Sequence, residues 1–110
     1  MAIAINRQRT TISAVAAGTK ILNSPGSGNV IRIMPGMITI RNTGAATNNI
    51  ILQTVDGVAT TTEIERFDLA AEETWFNEWE LVMYDTVDEL QATTDNASAT
   101  DFIVNYIKET

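Results

Sequence analysis

The chain has 110 residues, a formal net charge of -7, no cysteine and no histidine. That length allows one domain with a radius of gyration of about 13 Å. The composition excludes disulfide scaffolds, thiolate chemistry, zinc sites and serine–histidine–aspartate constellations, and the acidic balance argues against partners with phosphate backbones.

Ile, Val and Thr together supply 36 residues, while Leu supplies only 5. Such β-branched side chains favour pleated strands over helices, so an all-β class is expected. No apolar run approaches the roughly 20 residues needed to span a bilayer, so no membrane partner is expected. The first nine residues, Met-Ala-Ile-Ala-Ile-Asn-Arg-Gln-Arg, lack the basic start and apolar core of a secretory signal. Without disulfides, a chain of this size is expected to draw its stability from packing or from assembly.

Residues 1–18 are small and apolar but weakly patterned, and they carry Arg7 and Arg9, two of only seven basic residues. They read as an N-terminal arm or an edge strand, with residues 11–17 as the strand candidate and Gly18 ending it. An arm without large side chains would order only against a partner. Residues 19–110 read as a single β-sandwich domain. Residues 19–22 form a short strand, and residues 23–28 (Asn-Ser-Pro-Gly-Ser-Gly) are the clearest loop. The Pro-Gly-Ser-Gly string superficially resembles a phosphate cradle. No Lys-Ser/Thr follows it and no helix starts there, so it is a turn.

Residues 29–56 are the stretch around which the rest is organised. Ile31, Ile33, Ile38 and Ile40 alternate with Arg32 and Thr39, the period-2 signature of strands with one buried face. Pro35-Gly36 interrupts them with a kink, a bulge or a tight turn. Residues 42–49 form a polar loop, and residues 50–55 resume as a strand that stops at Asp56-Gly57, a hairpin signal.

Residues 58–67 are a further strand, with Ile64 and Phe67 buried and Glu63, Glu65 and Arg66 on the wet side. Residues 68–73 read as a loop, too short for an independent helix. Residues 74–84 hold Trp75 and Trp79 and read as a strand pair bent near Asn77 or Glu78. Residues 85–88 are a turn, 89–93 a strand, 94–98 a polar turn and 102–107 the last strand, with residues 108–110 solvated. About eight short strands at this spacing describe a single antiparallel β-sandwich or jelly roll.

Chemistry is sparse. Without His or Cys, two-carboxylate catalysis is the option left, with Glu72/Glu73, Glu78/Glu80 and Asp85/Asp88 as candidates. All sit in polar stretches where nothing separates one pKa from its neighbour, so they read as solvated loop acids. Asp85, Asp88 and Glu89 lack the twelve-residue loop with a central glycine that calcium sites use. No enzyme activity and no cofactor are expected. The Trp75, Phe76 and Trp79 cluster suits three roles: core packing first, then a protein interface, then a sugar platform.

From residue 29 onward the order of elements resembles a group of small β-sandwich structural proteins of tailed bacteriophages. The resemblance is carried by a strand ending in Asn (residues 38–42, Ile-Thr-Ile-Arg-Asn) and a Thr/Ala/Gly-rich loop (43–47). An apolar strand (50–52) follows, then a Leu-Ala-Ala-Glu-Glu-Thr loop (69–74), a hydrophobic-Asp-x-hydrophobic hairpin (81–90) and a short final strand (102–107). It spans residues 29–109 and departs from the group's usual Gly-Asp in the hairpin, which here is Val87-Asp88. The resemblance implies a virion component: a capsid decoration or cement protein that binds the outer capsid surface as a symmetric oligomer, a trimer being favoured.

The expected partners are the major capsid protein or other virion proteins and further copies of this chain. The expected location is the virion, after synthesis in the host cytoplasm. Arg7, Arg9, Ile12, Trp75 and Trp79 are the expected partner-binding residues, with residues 1–20 and one loop end making contact. On that reading, deleting residues 2–12 abolishes capsid binding and leaves the fold intact. A head–tail connector or tail-associated protein, and a carbohydrate-binding module using Trp75 or Trp79, are the alternatives.

Overall fold

The computed structural model describes residues 3–12, 18–56, 60–84, 89–95 and 99–110. They form β1 (Ile3–Ile12), β2 (Thr19–Leu22), β3 (Val30–Ile33), β4 (Ile38–Asn42), β5 (Asn48–Val55), β6 (Thr61–Leu69), β7 (Thr74–Phe76), β8 (Leu81–Tyr84), β9 (Glu89–Thr94) and β10 (Thr100–Glu109). Every pairing among them is antiparallel.

The larger sheet is built on β10. One edge of β10 pairs with β1 along its whole length, from Ile3 opposite Glu109 to Ile12 opposite Thr100. Its other edge pairs first with β4 and then with β3. Strands β3 and β4 therefore lie end to end as one kinked row, and β8 and β7 repeat that arrangement beside them. Merging each kinked pair reduces ten strands to eight rows. The first sheet then reads β1, β10, β3/β4, β7/β8, and the second reads β2, β9, β5, β6. That order is the eight-row double Greek key of a jelly roll. The sandwich class expected from sequence is thus present, with ten strands in eight rows where about eight strands were expected.

The core follows from alternation. Ile31, Ile33, Ile38, Ile40, Met83, Phe102 and Val104 from the first sheet meet Ile21, Leu22, Ile50, Leu52, Leu69, Leu90 and Ala92 from the second. Strand faces with period 2 and one buried side produce this two-layer core.

Both kinks have visible causes. Residues 34–37 form a turn in which the Met37 N–H donates to the Met34 carbonyl at 3.1 Å. Pro35 supplies the fixed φ of the first central position. Gly36 takes the second at φ +82°, which a type II turn requires. In the adjacent row Asn77 is buried. The Ile38 N–H donates to its Oδ1 at 2.8 Å, and its Nδ2 donates to the carbonyls of Met34 at 3.0 Å and Trp79 at 2.7 Å. The Gly36 N–H donates to the Asn77 carbonyl at 2.8 Å. One side chain thus replaces the ladder bonds that the two kinks interrupt.

Asn42 and Asn48, at the ends of the polar loop, are also fully buried. Asn42 Nδ2 donates to the carbonyls of Ala46 and Leu69, and its Oδ1 accepts from the Gly44 N–H. Asn48 Nδ2 donates to Thr100 Oγ1 at 2.8 Å, and Thr94 Oγ1 donates to Asn48 Oδ1. Among the described residues no buried side-chain nitrogen or oxygen lacks a partner. The sequence reading placed these asparagines in a wet loop; they are internal brackets instead.

Other boundaries shift. The N-terminal strand is Ile3–Ile12 rather than residues 11–17, of which 13–17 lie outside the described residues. Strand β6 runs on to Leu69. Lys108 and Glu109, expected in solvent, are half-buried in β10 between β1 and β3. The hairpin after Asp56 is closed by the Thr60 N–H donating to Asp56 Oδ1 at 2.8 Å, with its tip outside the described residues. Since β1 covers one whole edge of β10, deleting residues 2–12 would strip the sheet rather than trim a free arm.

Asn77→Ala should lower the unfolding free energy by about 2–4 kcal/mol, because three backbone groups lose their partner in a dry kink. Asn23→Ala, in an exposed loop, should stay within about 0.5 kcal/mol. Urea denaturation followed by tryptophan fluorescence reads both. Equal midpoints for the two variants would show that Asn77 does not hold the kinks.

Candidate functional site

The register of β1 against β10 decides which β1 side chains face outward. Phe102 and Val104 point into the core, so Asp101, Ile103, Asn105, Ile107 and Glu109 point away from it. Ile3, Ile5, Arg7 and Arg9 stand opposite Glu109, Ile107, Asn105 and Ile103 and share that outer face. The same alternation turns Arg32, Arg41, Phe76 and Tyr84 outward, since Ile31, Ile33, Ile40 and Met83 are buried. Among the described residues Ile3 (65%), Ile5 (77%), Phe76 (55%) and Tyr84 (55%) are the large hydrophobic side chains most open to solvent, and all four lie on this one face. Four of the five arginines lie there too.

These arginines are tethered rather than free. Arg7 Nε donates to Asn105 Oδ1 at 3.0 Å. Arg9 pairs with Asp101. Arg32 Nε donates to Glu109 Oε1 at 3.0 Å, with Glu80 at 3.5 Å from Nη1. Arg41 Nη2 lies 2.7 Å from Glu72 Oε2. The hydrogen bond to Asp101 and its charge hold the Arg9 guanidinium above its ordinary value, and Glu109 does the same for Arg32 with a smaller part from Glu80. Pairs this exposed add little to stability. Their effect is to hold extended cations in place on a sheet surface.

The opposite edge of the sandwich carries the aromatic cluster. Phe67 of β6 stacks on Trp75 of β7 with ring centroids 4.4 Å apart and planes 15° apart. This contact joins the edge strands of the two sheets. Trp79, in the kink after β7, lies 6.2 Å from Trp75 at 50°. Its Nε1–H donates to Glu65 Oε1 at 3.1 Å. Glu65, expected on the wet side, is therefore drawn half inward. Glu65, Thr74, Trp75, Phe76, Glu78 and Trp79 line an open groove. Trp75 and Trp79 are half-buried, and both pack against the core.

The expected partner-binding residues thus fall into two groups. Arg7, Arg9 and Ile12 belong to β1 at one edge, Ile12 opposite Thr100 in register. Trp75 and Trp79 lie at the other. A second open cleft lies on the β1/β2 edge, where both lysines, Lys20 and Lys108, line it with Gln8, Asn23 and Tyr106. The carboxylates Glu72, Glu73, Glu78 and Glu80 are exposed, each without a second carboxylate held against it in a dry setting. Asp85 and Asp88 lie outside the described residues. Among the described residues no group of three carboxylates could hold a metal ion. Sequence reading missed Ile3, Ile5 and Tyr84. The period-2 run Ile-Ala-Ile-Asn-Arg-Gln-Arg was the available signal.

No protein-family model and no curated protein sequence matches the chain. Among solved structures it is similar to a protein of the Bacillus endospore appendages, described as a novel family of disulfide-linked pili. That match has 16% identity and a TM-score of 0.55, covering 98% of this chain and 88% of that one. It is also similar to a protein of the T13 IBDV viral particle, at 9% identity and a TM-score of 0.50, over 96% of this chain and 30% of that one. The CBM22-1 xylan-binding domain of Paenibacillus barcinonensis Xyn10C matches at 11% identity and a TM-score of 0.49, over 97% of this chain and 80% of that one. At such identities the likeness is one of fold.

Trp75→Ala should remove the stack that joins the two sheet edges and lower stability by about 2–4 kcal/mol. Phe76→Ser, at an outward position next to it, should leave the denaturation midpoint within about 0.5 kcal/mol of the parent. If the two variants behaved alike in thermal melts, the aromatic cluster would not be the seam between the sheets.

Proposed function

We propose that this chain is a non-enzymatic structural protein of a virion, a capsid decoration or cement protein that binds the outer capsid surface as a symmetric oligomer. The observation that carries the reading is the gathering of Ile3, Ile5, Phe76 and Tyr84 on one outward sheet face. On an otherwise acidic monomer such a face suits burial against a larger surface. The face carries arginine and aromatic residues and no lysine, a composition that interface centres share.

Two further features support it. Folds similar to this one occur in a protein of disulfide-linked pili and in a protein of a viral particle. The resemblance of residues 29–109 to tailed-phage structural proteins points the same way. These 110 residues contain no cysteine, so cohesion here would come from noncovalent contact rather than from the disulfide links of the appendages.

The test is the copy number in purified particles, relative to the major capsid protein. Hundreds of copies are expected, and Ile3→Thr/Ile5→Thr should weaken particle binding about tenfold or more without moving the denaturation midpoint. About six to a dozen copies would shift the role to the neck or tail, which use few subunits. Absence from particles would overturn the virion reading, and a glycan panel read by tryptophan fluorescence would then test the groove at Trp79.

A further inference from the structure

The sandwich has two long open sheet edges, and they lie on opposite sides. Among the described residues β1 pairs only with β10, and β6 only with β5. The rows are stacked so that β1 lies beside β2 at one side of the molecule and β6 beside β7/β8 at the other. Strand β1 has ten residues and β6 has nine, so either could pair over about 30 Å. The remaining edge strands, β2, β7 and β8, have three or four residues each. A long unpaired edge without proline invites another strand.

Charge sorts the possible pairings. Strand β1 contains Arg7 and Arg9 and no carboxylate, and both lysines line the cleft on its side. Residues 61–80, which include β6 and β7, contain seven carboxylates, Glu63, Glu65, Asp68, Glu72, Glu73, Glu78 and Glu80, against one arginine, Arg66. Pairing β1 with β1 would set arginine against arginine. Pairing β6 with β6 would set acid against acid. Only β1 with β6 brings opposite charges together, and it also carries the exposed Ile3 and Ile5 toward an edge that ends in the aromatic groove.

We propose that β1 of one copy pairs edge to edge with β6 of a second copy, in a head-to-tail contact. This rests on the assembly reading above and adds to it the partner strand and the kind of symmetry. The contact uses different surfaces on its two sides, so it closes into a ring, such as a trimer, or continues as a filament. The charges make it selective against the like-with-like pairings.

The experiment uses the purified full chain in sedimentation velocity and equilibrium runs, from about 1 μM to about 1 mM protein, at about 50 mM and about 500 mM salt. Association beyond a monomer, weakened by salt, is expected. Arg7→Glu/Arg9→Glu blocks the head, and Glu63→Lys/Asp68→Lys blocks the tail. Each variant alone should associate at least about tenfold more weakly than the parent. Mixed, the two should regain association, because an intact head meets an intact tail and the reversed, acidic head meets the reversed, basic tail. Arg7→Gln/Arg9→Gln, which sets no new carboxylate against Asp101, is the head variant to use if the reversal disturbs folding.

A parent chain that stays monomeric at the highest concentration would overturn the pairing. So would blocked variants that assemble like the parent, or a mixture that stays monomeric. Particle binding is measured separately. A monomer that still binds particles therefore overturns this contact while leaving the decoration role standing.

Discussion

The Asn77 side chain ties two kinks together at one level of the larger sheet. A flat, uninterrupted sheet cannot fold over a second one and still close its ends; rows must bend, and each bend leaves N–H and C=O groups without a ladder partner. Here the β3/β4 row bends at Pro35-Gly36 and the β7/β8 row bends at residues 77–80. A single buried amide accepts from Ile38 and donates to Met34 and Trp79. Because both rows turn at the same place, β10 can run straight past them, and β1 can follow β10 for its whole length. Asn42 and Asn48 do comparable work where the chain crosses between sheets. The architecture therefore stands on three short amides as much as on its Ile-rich core.

The same arrangement explains the polarity of the surface. Bending places the aromatic cluster at the side where the first sheet meets β6, so that Phe67 and Trp75 seal that seam. Acids then crowd outside it. The other side is finished by β1, where Ala4, Asn6, Gln8 and Thr10 take the inward positions and Ile3, Ile5, Arg7 and Arg9 the outward ones. A molecule of net charge -7 thus carries six of its seven basic residues and its exposed large apolar side chains together on one sheet face and edge. That segregation is a property of the fold, since the residues come from β1, β3, β4, β7 and β8.

Much of this was legible in the residues. Alternation of Ile31, Ile33, Ile38 and Ile40 with polar neighbours specifies a half-buried strand row, and Pro35-Gly36 marks its bend. The bend near Asn77 was also readable, because two tryptophans flank a polar residue inside an apolar run. Strand β1 was harder. Its apolar positions face solvent, so the usual inference from alternation to burial points the wrong way, and its true partner lies about a hundred residues later. The buried asparagines were not readable at all: a polar residue beside a Thr/Gly loop looks wet until the topology encloses it. For the candidate site, the sequence singled out Arg7, Arg9, Trp75 and Trp79, but only the pairing register separates them onto opposite edges and joins Ile3 and Ile5 to the first group.

The position of β10 has a consequence for how the protein comes into being. Among the ten described strands, β10 is made last, and it is the one that pairs with β1, β4 and β3. Until it emerges, β1 has no neighbour in its sheet, and the Ile-rich edges of β3 and β4 stand open. Long-range pairing of this kind folds slowly and leaves strand edges exposed meanwhile. A chain cut just before β10 would be left as a half-sandwich with its central seam missing. Completion of this sandwich therefore waits on β10, however many of the other strands have formed.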